Sequence, residues 1–251
     1  MSLITTTQKA IGIRDSADAS HGPTTPPYSQ ATMINEAPFT VGGWFKPTSE
    51  FTTTRYIFSL DTDTSSQMYT IHLINGTIIF RKQYNVKGDI VMVNLPVLNE
   101  WQYAGLAIDS LTQIRATFFC PATMSVPEQQ TKSDCVGPSI QYGDGIWLGC
   151  QYNSWLEFKG RVGHWAAWNN YALSDEELYQ LALGEYPTAY PTYLDWYDPL
   201  IAGVNGAGWQ GYQMTEFGSP SYDSEDNPIP ADPTGPEVPV VQHNFRQRCV
   251  E

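Results

Sequence analysis

Four histidines, His21, His72, His164 and His243, are the side chains of this 251-residue chain suited to proton transfer near neutral pH. A Gly-x-Ser-x-Gly turn is absent, so no nucleophile elbow is encoded beside any of them. His72 and His164 fall in runs that read as strands, where a hydrogen-bonded structural histidine is the expectation. Glycoside hydrolysis needs two carboxylates at a set separation. The acidic pairs here have plainer explanations. Glu176-Glu177 open a helix, Asp61 and Asp63 run into a Thr-Ser-Ser-Gln loop, and Asp223, Glu225 and Asp226 sit in a proline-rich stretch. The four cysteines, Cys120, Cys135, Cys150 and Cys249, match no zinc spacing. Cys120 and Cys135 bracket a loop and would pair in an oxidising setting; free thiols in a reducing cytosol are the preferred reading. Tyr152, Trp155, Trp209 and Tyr212 lie in turn-rich segments beside polar groups and are the candidate ligand-binding platforms, with core packing the ordinary alternative for any aromatic.

The elements that position these residues are short β-strands. Phe39-Thr-Val-Gly-Gly-Trp-Phe-Lys46 has apolar residues or glycine at every second position, with Trp44 on the opposite face, so both faces are expected to be covered. Strands are predicted at 56–60, 68–74, 77–81, 90–95, 101–108, 113–119, 146–149 and 160–169. The last is apolar and small throughout, the pattern of a strand buried on both faces. Asn75-Gly76 joins two of these runs and demands a type I′ hairpin, because both central residues take positive φ. The same Asn-Gly-Thr is a glycosylation sequon, but the turn explains it. A proline-, Gln- and Thr-rich loop is expected from Pro121 to about Ser139, and a further strand at 193–197. One helix, about 174–183, is announced by the capping box Ser174-Asp-Glu-Glu177, by Leu178, Leu181 and Ala182 on one face, and by Gly184 as its stop.

The composition narrows the partners. Thirteen basic against 26 acidic residues give a net charge of −13, which opposes binding to nucleic acid phosphates. An aromatic share of 13% argues against disorder. No stretch is long and apolar enough to span a membrane, and the N-terminus carries no secretory signal pattern. The chain divides into an N-terminal arm with a first strand at 1–28, a β-sandwich at 29–219, and a proline-rich C-terminal arm at 220–251.

Four segments in order carry a family resemblance. Phe39-Thr-Val-Gly-Gly-Trp-Phe-Lys46, Glu100-Trp-Gln-Tyr-Ala-Gly-Leu-Ala107, Phe158-Lys-Gly-Arg-Val-Gly-His-Trp-Ala-Ala-Trp168 and Leu173-Ser-Asp-Glu-Glu-Leu178 resemble the successive strands and short helix of laminin-G-like, concanavalin A-like lectin domains. Tyr190-Pro-Thr-Tyr-Leu-Asp-Trp-Tyr-Asp-Pro-Leu200 resembles a segment that follows this helix in some phage and bacterial members. The resemblance spans about residues 30 to 220. It implies an all-β fold, a concanavalin A-like jelly-roll sandwich of two antiparallel sheets with one short helix. Glycanases of that fold carry Glu-x-Asp-x-x-Glu on one strand, and no such string occurs here, so no enzyme is expected. Related folds hold Ca²⁺ at loop tips; Asp61, Asp63 and Asp144 are the candidate ligands, set against a simple solvated acidic loop. Two functions follow. The first is a structural surface protein of a phage-type virion, made in the host cytoplasm, a capsid decoration or tail-associated knob whose arms attach to a capsid or tail protein, as a homo-oligomer. The second is a soluble carbohydrate-binding lectin with a glycan as ligand.

Overall fold

In the computed structural model the described residues are 2–5, 10–14, 37–61, 67–84, 86–135, 145–149, 158–200, 210–211, 215–217, 221–223 and 228–229. Two antiparallel sheets face each other, with one helix laid on the outside of the larger. The larger sheet is built on β3 (Phe39–Pro47), β8 (Gln102–Ile108), β9 (Ile114–Phe119) and β12 (Gly160–Asn169). β10 (Glu128–Lys132) closes one edge of it. The far side of β12 is shared: β1 (Ser2–Thr5) pairs with residues 160–162, and β13 (Leu194–Asp198) with residues 165–168. Short β14 (Gln210–Gly211) extends β13, and β16 (Ser221–Asp223) extends β1. The smaller sheet runs in the order β15 (Thr215–Phe217), β2 (Ala10–Arg14), β11 (Gly145–Leu148), β4 (Arg55–Asp61), β5 (Gln67–Ile74), β6 (Thr77–Tyr84) and β7 (Val86–Val91).

The alternation of the strands decides what lies between the sheets. From β3, β8 and β12, Val41, Phe45, Ala104, Leu106, Val162, Trp165 and Ala167 point inward to meet Phe58, Leu60, Ile71, Leu73, Phe80 and Leu148. Trp165 stacks on Phe58 at 5.9 Å between centroids, and its indole donates to the Trp44 carbonyl. Gly43 makes room for that ring, since a Cβ there would stand 2.5 Å from Trp165. Trp44, Tyr103, Ala107, Ala166 and Trp168 point the other way and form a second core beneath the helix. The expectation of a central strand covered on both faces therefore holds for β3 and β12, and extends to β8, in which every residue is buried.

The helix, α1 (Asp175–Ala182), has Ser174 as N-cap with both halves of the capping box formed, and buries Leu178, Leu181 and Ala182. Gly184 follows at φ +100°, as the stop requires. Arg115 on β9 fastens the helix: it donates to both Asp109 oxygens, to Asp175 at 2.7 Å and to the Leu173 carbonyl at 2.6 Å. Asn75 and Gly76 both have positive φ, 49° and 79°, which forms the expected hairpin between β5 and β6.

Three expectations need correction. The loop expected after Pro121 contains β10, whose alternating half-buried and exposed side chains (Glu128, Gln129, Gln130, Thr131, Lys132) form a polar edge strand that hydrophobic periodicity does not detect. The strand expected at 90–95 runs instead over 86–91, with Met92 the last buried residue before an exposed turn. Parts of the expected arms belong to the sandwich, because residues 2–5, 10–14 and 221–223 take up ladder positions and Ile229 is buried in the outer core. The preferred reading of Cys120 and Cys135 as free thiols holds, and a disulfide between them is excluded by register. The amide of Cys135 donates to Thr112 at one end of β9 and Cys120 follows its other end. The strand between them spans roughly 16 Å, against the roughly 7 Å limit on Cα separation. Both are buried free thiols.

Candidate functional site

β12 changes phase in the middle. Its register with β3 slips by one residue between Gly163 and Ala166. His164 occupies the slip with φ 52°, a left-handed conformation that costs a non-glycine residue energy and concentrates at functional positions. The bulge turns Trp165 into the inner core and leaves His164 on the helix side. There the imidazole is fully buried, with Nδ1 hydrogen-bonded at 2.9 Å to the Tyr197 hydroxyl and the Tyr186 ring edge-on at 5.6 Å. β13 carries its own slip opposite, between Ala167 and Trp168, which inserts Asp195 as the extra residue. Burial pushes its carboxyl up to about 6.

His164 forms one wall of a narrow crevice between the outer face of the larger sheet and the chain that follows α1. Trp44, Tyr103 and Trp168 form the floor, Leu181 and Pro187 the helix side, Glu185 the rim, and Ile229 closes it. The cross-strand glycines Gly42 and Gly105 let Tyr103 lie flat on the sheet; a Cβ on either would meet its hydroxyl at 2.6 or 2.9 Å. The Trp168 indole donates to the Tyr190 carbonyl, and the Tyr190 hydroxyl donates to Glu185.

Two donors in this crevice are unmatched. Trp44 Nε1 and Tyr103 Oη are buried, at 4% and 3% exposure, and neither has a hydrogen-bond partner among the described residues. The space is too narrow for a water molecule. An unmade hydrogen bond of a buried donor costs about 1–3 kcal/mol, so the closed crevice is an uncomfortable place for both groups. Trp196 Nε1 shares that condition, but it lies between the sheets, away from the crevice. Burial holds the Tyr103 hydroxyl far above the ordinary tyrosine range, so it stays a donor.

The residues expected from sequence to bind a ligand, Tyr152, Trp155, Trp209 and Tyr212, lie outside the described residues. Of the calcium candidates, Asp61 closes β4 with its backbone opposite Gly145; its side chain, Asp63 and Asp144 lie outside them too. Among the described residues no group of three or more His, Cys, Asp or Glu is arranged to hold a metal, and no helix is long and apolar enough to cross a membrane. His72 behaves as expected, with Nδ1 2.9 Å from the Thr70 hydroxyl. Sequence reasoning missed the crevice. Trp44 was legible as outward-facing and the glycines as small, but the bulge at His164 and the approach of Ile229 leave no local signature.

No known protein family matches the chain by sequence, and no curated protein matches it. Solved structures do. The CBM40 domain of the Ruminococcus gnavus IT-sialidase, bound to α2,3-sialyllactose, is 16% identical; the match covers 72% of this chain and 96% of that domain at a TM-score of 0.51. A native heptameric SAP-like pentraxin from Limulus polyphemus is 18% identical over 72% of this chain and 84% of its own, with a TM-score of 0.46. The enzymatically active domain of tailspike protein 2 of bacteriophage CBA120 is 12% identical over 69% of this chain and 28% of its own, at 0.49. Two facing antiparallel sheets with this overlap on the CBM40 domain define a concanavalin A-like jelly-roll, as the sequence resemblance implied.

Proposed function

We propose that this protein is a non-enzymatic carbohydrate-binding jelly-roll module. The observation that carries the reading is the superposition on a sugar-bound domain almost entire, 96% of whose length is matched. Fold alone does not transmit function, so the chain's own chemistry must set the ligand. A net charge of −13 repels a sialylated glycan and favours a neutral one. The test is a glycan array probed with the full chain, together with Trp155→Ala and Trp209→Ala. Neutral glycans bound by the wild type, and lost in either variant with circular dichroism unchanged, support the reading. Sialylated glycans alone, or none, contradict it.

The finer placement, on the surface of a phage-type virion as a decoration or tail-associated protein, is supported by the acidity and by the proline density beyond residue 219. Capsid and tail positions are symmetric, so a closed homo-oligomer is expected in light scattering coupled to size-exclusion chromatography. A monomer at all concentrations speaks against that placement and leaves the glycan reading intact.

A further inference from the structure

We infer that the outer edge of β10 is a self-association surface, on which a second copy of this chain adds its own β10 antiparallel about a two-fold axis through Gln130. This deepens the homo-oligomer reading above and rests on the register of the sheet. β10 ends the larger sheet, and among the described residues no strand pairs with its outer side. Which of its backbone groups face outward follows from the neighbouring hairpin. The Asp109 amide donates to the Gln113 carbonyl at 3.1 Å, so these residues form a hydrogen-bonded pair at the β8–β9 turn. Hydrogen-bonded and non-bonded pairs alternate along an antiparallel ladder. Arg115, Thr117 and Phe119 therefore turn their backbone groups to β8, and Ile114, Ala116 and Phe118 turn theirs to β10. The partners of the latter are Lys132, Gln130 and Glu128. The amides and carbonyls left for a new neighbour are those of Gln129 and Thr131.

The sequence of β10 is self-complementary in that arrangement. Centred on Gln130, the two-fold sets Gln129 opposite the partner's Thr131, and these exchange amide–carbonyl hydrogen bonds. It also sets Glu128 opposite the partner's Lys132, in a non-hydrogen-bonded pair whose side chains stand close. A register centred on Thr131 brings Glu128 against the partner's Asp134, a pair of like charges. A register centred on Gln129 sets Thr131 against the partner's Pro127, which has no amide to give. Parallel pairing in register stacks Glu128 on the partner's Glu128. Charge complementarity and hydrogen bonding thus select one occupant and one register, with the reciprocal contacts that a two-fold interface requires. The Glu128 carboxylate is held at the edge by the amides of Val93 and Asn94. Exposed apolar side chains flank the strand at both ends. Val93, 80% exposed, and Val126 stand by Glu128, and Leu111 stands beside the Thr112 carbonyl that receives the Cys135 amide. The two-fold brings unlike ends together, so these side chains cover one another and add the apolar area that so short a ladder lacks.

A ladder of this length gives a weak dimer, with a dissociation constant on the order of 10 μM expected. Sedimentation velocity of the full chain over concentrations spanning that value tests it. Thr131→Pro removes an outward amide and no bond to β9, so it should leave the circular dichroism unchanged and the chain monomeric. Lys132→Glu sets like charges opposite each other and should weaken the dimer about tenfold. Gln130→Cys, on the axis, should give a disulfide-linked dimer on mild oxidation, because facing Cα atoms of a non-hydrogen-bonded pair lie about 4.5 Å apart. The wild type and Lys132→Cys should not cross-link. A wild type that stays monomeric at all concentrations overturns the edge together with the virion placement. A closed oligomer that survives in folded Thr131→Pro, is indifferent to Lys132→Glu or fails to cross-link through Gln130→Cys overturns the edge and leaves that placement standing. If Thr131→Pro does not fold, the Lys132→Glu and Gln130→Cys comparisons decide by the same readings.

Discussion

Asp195 and Glu128 show opposite electrostatic strategies, and each has a pH signature. Asp195 is the residue inserted at the β13 bulge, and burial raises its carboxyl to about 6, above the roughly 3.9 of an unfolded aspartate. The folded state therefore holds the proton more tightly, and the ionised group opposes folding above pH 6. That penalty shrinks as pH falls and is gone below about 4. Asp195→Asn is expected to stabilise by about 1 kcal/mol at pH 7.5, a figure discounted for its partly solvated position, and to match the wild type at pH 4 in denaturant titrations. An equal gain at both pH values would exclude ionisation as the cause. At Glu128 burial works against ionisation, but hydrogen bonds from the amides of Val93 and Asn94 and from the side chains of Gln130 and Asn94 outweigh it and hold the carboxyl below its usual range. Its stabilisation is present above the unfolded value and lost as pH falls through the folded one. Glu128→Gln should cost about 1 kcal/mol at pH 7, a difference that closes as the carboxyl is protonated in acid.

At the scale of elements, α1 is held to the sheet by its buried face and by one cation. Arg115 is mostly buried and bridges Asp109, Asp175 and the Leu173 carbonyl. Arg115→Ala leaves Asp109 and the helix start without their donor and should cost about 3 kcal/mol, measured by urea unfolding. A loss under about 0.5 kcal/mol, typical of exposed pairs, would mean that the latch is ornamental to the fold. The helix, the Asn75-Gly76 hairpin and the two-faced strands were all legible in the sequence, because each rests on local chemistry: a capping box, a pair of left-handed turn residues, an apolar period. β10 was not legible. Its Glu-Gln-Gln-Thr-Lys makes a strand only because β9 offers a ladder and Glu128 and Gln130 tie it to the turn after β7. A first strand within 1–28 was expected, but not the second nor the ladders that either joins, since their partners, β12 and β11, lie more than a hundred residues away.

The whole molecule is a sandwich into which the chain's first residues are woven. β1 and β2 lie one in each sheet, each between two partners. Deletion of residues 1–14 is therefore expected to abolish cooperative unfolding and yield insoluble protein; a soluble truncation with an unchanged melting temperature would show that those ladders add nothing. The candidate site shows where sequence reading stops. Its aromatic floor comes from three adjacent strands, its strained histidine from a bulge and its closing isoleucine from the far C-terminal stretch, so only the folded chain brings them together. The account's central claim is carbohydrate binding, and the most direct test is the array of neutral and sialylated glycans probed with the intact, folded chain. The account predicts binding to neutral glycans that free sugar competes away; an array on which no neutral glycan is bound would contradict it.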